Sequence, residues 1–293
     1  MSSETPIQMK KTSSFLPYPN DHLPDYALKK AERELKETPE AKQTALAEFK
    51  KMLQENPKTK EIHFEEDFLI HYLRGTKYTI QKAANHLQNY VDFRTKHNHL
   101  FQAISEEYFL TKRFIGSCVV LPDRCPEGCV VFCIRLGKWD PREIPLDDFI
   151  KLYMLTSLQI LRDPMVQING FKTIFDMKDT NIHHLRHATL HNLYILYHLP
   201  LNCIPVRIKG LHVVNQTALV SLAWKILYPF LPEKIKKRTH FHSDPRKLLD
   251  YFPSSTLPVQ YGGDLPEIDS TELTWRLNKE QRDNSMRGQP NFY

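Results

Sequence analysis

The chain has 293 residues, enough to bury a sizeable core in one large domain or in a small domain joined to a larger one. Hydrophobic residues make up 41% and charged residues 25% of the chain, ordinary values for a globular protein that exclude extensive disorder outside the ends. The net charge of +6 permits an anionic partner, but the basic residues are scattered except in one stretch, so no nucleic-acid groove is indicated.

The N-terminal residues 1–24 are rich in Pro, Ser, Thr and Asn, which predicts a flexible leader. No apolar signal segment is present, and Ser2 stands where myristoylation requires a glycine. No apolar run is long enough to span a bilayer. Because the five cysteines are odd in number, these features predict a reduced, cytoplasmic protein whose membrane contact is peripheral.

Residues 25–100 show helical periodicity and are predicted to form a helical N-terminal domain. Leu28, Ala31 and Leu35 are expected to share one face of its first helix, because their spacings are three and four. Thr79 is a predicted N-cap for its last helix, which carries a long apolar stripe.

A second domain is predicted over residues 101–264, followed by a polar C-terminal tail over 265–293. Short runs rich in branched and aromatic residues predict the strands Cys129–Leu136, Phe171–Met177 and Arg207–Val214. The longer periodic stretches predict the helices Asp147–Arg162 and Ile182–Leu199, with another helix after the third strand. This alternation predicts an α/β fold with a mainly parallel sheet.

The helix predicted within Asn215–Leu231 is unusually apolar. Its polar residues Thr217, Ser221 and Lys225 lie four residues apart and form a single narrow strip, whereas a surface helix normally has a wide polar face. Two interpretations are open. The helix is either a core helix covered on most sides, or a lid that is apolar both toward a lipid cavity and toward a membrane.

Cations follow this helix directly. Lys234, Lys237 and Arg238 lie at i, i+3 and i+4, so they share one helix face. Arg207 and Lys209 lie two residues apart on a predicted strand and therefore point to the same side of the sheet. Although a charge run is usually a solvated face, its position beside an apolar helix favours a surface that contacts lipid tails and anionic headgroups together.

A series of short motifs runs through residues 26–264. They are Phe68-Leu69 with Leu73-Arg74, Asp92-Phe93-Arg94, Ile134–Pro141, Asn169–Asp176, Pro205–Asn215, Pro229-Phe230-Leu231, Leu257-Pro258 and Tyr261-Gly262-Gly263. In this order they resemble the CRAL-TRIO family, above all its tocopherol-transfer and retinaldehyde-binding members. The resemblance implies a helical N-terminal domain on an α/β lipid-binding domain, a hydrophobic cavity closed by a gate helix, and a bound hydrophobic lipid in place of any cofactor.

The resemblance also implies site residues. The implied cavity positions are Ile150, Tyr153, Ser157, Phe171, Ile174, Leu196, Leu199 and Ile204. The implied gate positions are Leu219, Val220, Ala223, Trp224 and Leu227. The implied phosphoinositide contacts are Arg207, Lys209, Lys234 and Arg238, to which Lys237 and Lys77 are added. The cavity positions are equally consistent with ordinary core packing, while Tyr153 and Ser157 are available to orient a polar group of a ligand.

The sequence departs from the tocopherol-transfer members at a few of these positions. Thr76 stands where they carry a second arginine, so Lys77 is the predicted substitute. Tyr153 replaces a small residue, and Thr180 replaces an aromatic one. The predicted cargo is therefore a tocopherol-, retinoid- or other isoprenoid-like lipid, or a phospholipid, and vitamin E is not singled out.

Two patterns that suggest metal binding are interpreted otherwise. His183, His187 and His191 lie at i, i+4 and i+8, but no glutamate completes an HExxH motif, so a solvated helix face is favoured. Cys125 and Cys129 are four residues apart, not two as in a zinc knuckle. No metal site is predicted.

The sequence contains no GxGxxG, P-loop or GxSxG motif, and glycine is scarce at nine residues. No catalytic residues, nucleic-acid partner or specific protein partner are predicted. The predicted function is a carrier of a hydrophobic small molecule that releases its cargo at phosphoinositide-containing membranes. The alternative is a phosphoinositide-binding adaptor or sensor without net lipid transfer, and an enzyme acting on a bound lipid has least support.

Overall fold

A computed structural model describes residues 23–105, 107, 116–269 and, close to the C-terminus, 273, 275, 276, 278, 279, 282 and 283. The predicted leader, except for its last two residues, and most of the predicted C-terminal tail lie outside the described residues. Among the described helices, none combines the length and apolarity needed to cross a membrane.

The N-terminal part is helical, as predicted. Its helices are α1 Asp25–Leu35, α2 Pro39–Glu55, α3 Glu66–Gly75 and α4 Ile80–Lys96. The start of α2 is fixed by the Thr38 side chain, which accepts a hydrogen bond from the backbone N–H of Ala41 at 3.1 Å. One expectation is wrong: Leu28 is exposed, and the buried stripe of α1 is Ala27, Ala31 and Leu35, at a spacing of four.

The sheet has five strands in the order β1-β2-β3-β4-β5. They are β1 Cys118–Val120, β2 Val130–Arg135, β3 Phe171–Asp176, β4 Ile208–Val214 and β5 Thr239–Phe241. Strands β2 to β5 pair in parallel, and β1 pairs with β2 antiparallel. The prediction of a mainly parallel α/β fold is confirmed, and the three central strands coincide with the predicted ones to within a residue or two.

Helices cover the sheet. They are α5 Leu146–Leu161, α6 Pro164–Asn169, α7 Ile182–Leu185, α8 Leu190–His198, α9 Ala218–Leu227 and α10 Glu233–Lys236. The single helix predicted over Ile182–Leu199 is instead two, because the chain turns after α7 and restarts with Thr189, whose side chain accepts from the backbone N–H of Asn192. His183, His187 and His191 therefore do not share one helix face.

The two faces of the sheet bury different side chains. Alternation along β2 and β3 places Phe132 and Thr173 on the face covered by α5, and Val131 and Ile174 on the opposite face. The α5 face belongs to the large core that also includes the packed sides of α2 to α4. The opposite face packs against the segment around Leu248, Phe252 and Tyr261.

Buried polar contacts join α3 to the rest of the molecule. The Arg74 guanidinium donates to both carboxylate oxygens of Glu37 and, at 2.8 Å, to the Gln167 side-chain oxygen. The Tyr72 hydroxyl donates to the backbone oxygen of Cys203 at 3.0 Å. Since Arg74 and Glu37 are both almost inaccessible to solvent, this junction is a fixed part of the fold.

Candidate functional site

The α5 face of the sheet carries side chains that are not fully covered. Phe175 in β3 and Leu211 in β4 are partly accessible, although both lie in central strands. Thr173 pairs with Leu211 in register and lies on the same face. None of the three belongs to the predicted cavity set, and the partial exposure of Phe175 and Leu211 marks incomplete packing between the sheet and the helices above it. The alternation of Phe171, Thr173 and Phe175 was the sequence signal that could have identified them.

Most predicted cavity residues lie in the core on this face: Ile150, Phe171, Leu199 and Ile204 are buried there, and the partly buried Tyr153 packs against them. Ile174 lies on the opposite face, so the structure does not bring it together with the others. Leu196 is exposed on α8.

Tyr153 and Ser157 are the polar members of the predicted cavity set. The Tyr153 ring stacks on Phe132 with ring centroids 5.9 Å apart. Burial raises the pKa of Tyr153 to about 12, although a hydrogen bond with Ser157 acts in the opposite direction. The phenol therefore stays protonated at neutral pH and keeps a donor available in a largely apolar setting.

A small, open cleft lies at the side of α5, between this helix and the turn after α4. Leu100, Ile104, Met154, Leu158 and Asn278 contribute to its lining. The predicted cavity set does not line this cleft.

The predicted gate helix is α9. Its first turn is capped by Thr217, whose side chain accepts from the backbone N–H of Val220 at 3.3 Å. None of its described side chains is buried; Val220, Ala223, Trp224 and Leu227 are half-buried, and the side chain of Leu219 lies outside the described set. The helix is thus a surface element, not the covered core helix that was one of the two interpretations.

The two sides of α9 contact different surroundings. On one side, the Trp224 ring packs edge-on against Phe241 of β5, with centroids 5.1 Å apart. On the other side, Leu222 and Ile226 are exposed, by 53% and 39%. The apolar surface continues into Phe230, which is 62% exposed in the turn that follows. Exposed apolar side chains in such continuity mark an interaction surface.

The basic cluster, defined as Lys77, Lys82, Arg207, Lys234 and Arg238, lies next to this surface. Partial burial, and after it the charges of Arg238, Lys82, Lys77 and Arg207, lower the pKa of Lys234. These cations come from the α3–α4 turn, the start of α4, the entry to β4, and α10 with the turn that follows it, so the fold gathers them from distant parts of the chain. An anion would relieve their mutual repulsion.

Sequence reasoning missed Lys82, because it is more than 100 residues from the other helical cations and joins them only through tertiary packing. Thr76 is buried, and its hydroxyl group donates to the backbone oxygen of Tyr72 at 2.9 Å. Lys77 adopts a left-handed backbone conformation with φ of 53°.

Other predicted headgroup contacts have partners within the chain. Arg207 donates to the backbone oxygen of Ile168 and, at 3.0 Å, to the Glu34 carboxylate. Lys209 Nζ donates to the same Glu34 oxygen at 3.2 Å. Lys237 is exposed directly after α10, and it adds to the effect of Lys236 in lowering the pKa of the Glu233 carboxyl group.

Histidines line the opposite face of the sheet beside β5. His212 Nδ1 lies 3.1 Å from His242 Nε2, and its ring stacks at 5.2 Å from that of His240. Burial, followed by the charges of His242, His240 and Lys172, lowers the pKa of His212 to about 3, whereas Glu127 acts to raise it. His212 is therefore neutral in the folded protein above that pH.

We expect acid to destabilise the fold through His212. Between pH 6.5 and about 3 the unfolded chain binds a proton that the folded chain does not, so the free energy of unfolding falls as the pH falls, by up to about 1.4 kcal/mol per pH unit for this group. Denaturant titrations across this range should give a shallower pH dependence for His212→Gln than for the wild type. The exposed His63, replaced by Gln, is the control, and equal slopes for both variants would contradict the assignment.

Within the described residues, no group of three or more His, Cys, Asp or Glu side chains could hold a metal ion. Cys125 and Cys129 instead flank a tight turn in which the backbone N–H of Cys125 donates to the Cys129 oxygen at 3.0 Å. The Cys125 thiol donates to Glu127 at 2.9 Å.

The chain is an α/β protein with a helical N-terminal part and a mainly parallel sheet under helices. Its surface helix is apolar on both sides and adjoins a group of cations, features that suit contact with lipid. Residues 116–263 match the CRAL/TRIO domain. The alpha-tocopherol transfer protein-like protein of Homo sapiens is 30% identical over 247 residues, covering 84% of this chain and 72% of that protein. The chain belongs to the CRAL/TRIO family.

Two further comparisons are consistent with this family and its fold. Clavesin-2 of Mus musculus is 26% identical over 248 residues, covering 83% of this chain and 75% of that protein. The crystal structure of Sfh5 superposes with a TM-score of 0.50 at 12% identity, covering 78% of this chain and 88% of that one, and shows the shared fold alone. The predicted family is confirmed, and with it the coarse prediction of a lipid-binding protein from a lipid-transfer family.

Proposed function

We propose that this protein carries one hydrophobic small molecule between the sheet and α9, and releases it at phosphoinositide-bearing membranes. The observation that carries the proposal is that α9 lies at the surface and is apolar on both sides: Trp224 packs inward on Phe241, while Leu222 and Ile226 face outward. A helix of this kind can exchange its contacts with the sheet for contacts with lipid at little loss of hydrophobic burial.

The physical motive for a carrier is the hydrophobic effect. Removing apolar surface from water is favourable by about 25 cal/mol per Å², so such cargo does not leave a protein for water unaided. At a membrane the acceptor is itself apolar, and a lid bearing exposed apolar side chains can open there without exposing the cargo. Tyr153 and Ser157 would orient one polar group of a tocopherol-, retinoid- or isoprenoid-like cargo.

Binding of an anionic headgroup to the basic cluster would favour the opening of α9. A ligand shifts a conformational equilibrium only if it binds the two states with different affinity. Lys234 lies on α10 and Arg238 just after it, and only the short segment 228–232 joins α10 to α9. A phosphoinositide held by these cations would hold α9 against the headgroup region and so favour the open state. The proposed location is cytoplasmic, with peripheral association to such membranes.

The test begins with organic extraction of the purified protein and mass spectrometry, beside a mock preparation. We expect a stoichiometric hydrophobic compound in the wild type. Leu211→Trp should lose it, because an indole would occupy the space beside Thr173. The control is Leu249→Trp, at an exposed position on the opposite side of the sheet.

Transfer of labelled cargo between vesicles completes the test. A carrier releases cargo to acceptor vesicles that contain phosphoinositide. A protein that yields no extractable compound and binds such vesicles without transfer would instead be the adaptor or sensor.

A further inference from the structure

Two predicted headgroup cations are already paired with a carboxylate of the chain itself. Glu34 Oε2 lies 3.0 Å from a terminal nitrogen of Arg207 and 3.2 Å from Lys209 Nζ. We propose that Glu34 of α1 competes with a second headgroup phosphate for these cations and thereby weakens the binding of phosphoinositides that carry more than one phosphate. This inference rests on the proposed function.

Glu34 is ionised at neutral pH. Burial raises the pKa of its carboxyl group, but Lys209, Arg207 and Lys30 outweigh that effect and the pKa is lowered overall. The carboxylate carries one negative charge, whereas a phosphate monoester carries about 1.5 to 2 at pH 7. A phosphate that reaches Arg207 and Lys209 therefore replaces Glu34 with a stronger anion.

The carboxylate can be displaced without detaching α1. Lys30 anchors α1 by donating to the backbone oxygen of Glu127 and to the Asn169 side chain, both at 2.7 Å. The apolar side of α1 packs against Met165 and Ile168. Glu34 itself keeps a partly exposed side chain at the rim of this contact.

The competition acts on the second phosphate of the headgroup and not on the first. Among the described residues, no carboxylate bridges Lys77, Lys82, Lys234 or Arg238 in the way that Glu34 bridges Arg207 and Lys209, so a first phosphate binds there with Glu34 in place. A second phosphate on the same ring reaches Arg207 and Lys209 only by displacing Glu34. Singly phosphorylated headgroups gain nothing from that displacement.

The test compares Glu34→Gln with Glu32→Gln, which removes the same charge from an exposed position on the same helix. Binding is measured to vesicles containing a phosphatidylinositol bisphosphate, to vesicles containing the monophosphate, and to free inositol bisphosphate. We expect Glu34→Gln to bind the bisphosphate vesicles about tenfold more tightly than Glu32→Gln, and the monophosphate vesicles equally. If Glu34→Gln gains a similar amount of affinity for free inositol bisphosphate, Glu34 competes with the headgroup itself and not with the membrane surface.

A further variant separates competition from loosening of α1. Lys30→Gln removes an anchor of α1 and leaves Glu34 in place, so it should not raise bisphosphate affinity. The inference is overturned if Glu34→Gln binds bisphosphate vesicles no more tightly than Glu32→Gln does. It is also overturned if Lys30→Gln gains as much affinity for these vesicles as Glu34→Gln. If all variants and the wild type fail to bind phosphoinositide, the headgroup role in the proposed function fails as well, whereas cargo extraction still reports on the carrier.

Discussion

Replacing Lys234 and Arg238 together by alanine is expected to slow cargo transfer to phosphoinositide vesicles about thirtyfold, with cargo binding unchanged. Each cation near an anionic membrane surface contributes about 1 kcal/mol, and 1.4 kcal/mol is a factor of ten. The effect is expected at these positions because their charges act on each other and on Lys77, Lys82 and Arg207. Lys234 is exposed, and Arg238 donates to the backbone oxygen of Ile208 at the start of β4, so neither side chain belongs to the buried core. The measurement is the rate of transfer of a fluorescent cargo from protein to vesicles.

The control for this double variant removes the same charge elsewhere. Lys51 and Lys247 are both exposed and lie outside the basic cluster, so their replacement by alanine should slow transfer only slightly. Raising the salt concentration should reduce the difference between the two double variants, since exposed charges are screened. Equal transfer rates for the two double variants would show that the basic cluster takes no part in cargo release.

Arg74→Met is expected to lower the free energy of unfolding by about 3 to 5 kcal/mol, because it leaves a buried carboxylate without its partner. Glu37 is 10% exposed and receives a bidentate contact from Arg74, which also holds Gln167. The measurement is the midpoint of a denaturant titration, with Arg33→Met, whose side chain is 78% exposed, as the control.

Adding Glu37→Met to Arg74→Met should restore much of the lost stability, because the unpaired charge is then gone. If the double variant is as unstable as the single one, the loss comes from packing around Arg74 and not from the buried charge.

The central architecture could be predicted from local patterns, because the runs around β2, β3 and β4 are long and rich in branched residues. Strands β1 and β5 were missed, since three residues each carry too little pattern, and their pairing depends on the neighbouring strand. The break between α7 and α8 was also missed, because the apolar pattern continues across it.

The site was predictable in part. Positions carried over from a family motif do not respect the alternation of a strand, and Ile174 was therefore grouped with side chains on the other face of the sheet. Period-two alternation selects Thr173 and Phe175 instead. Glu34 could not be found by spacing, because it meets Arg207 and Lys209 only through packing between distant segments. Lys82 follows the predicted Lys77 by five residues, but its proximity to Lys234 likewise depends on tertiary packing.

The position of β5 at the margin of the sheet bears on where α9 can open. Strand β5 pairs with β4 alone among the described strands, and its Phe241 is covered in part by Trp224. Withdrawal of α9 in water would expose an aromatic side chain beside unpaired backbone N–H and C=O groups, a template for adding a strand from another molecule. Opening of α9 away from a membrane would thus favour self-association of the protein. An open state that is rare in water therefore protects the protein from self-association as well as keeping its cargo bound.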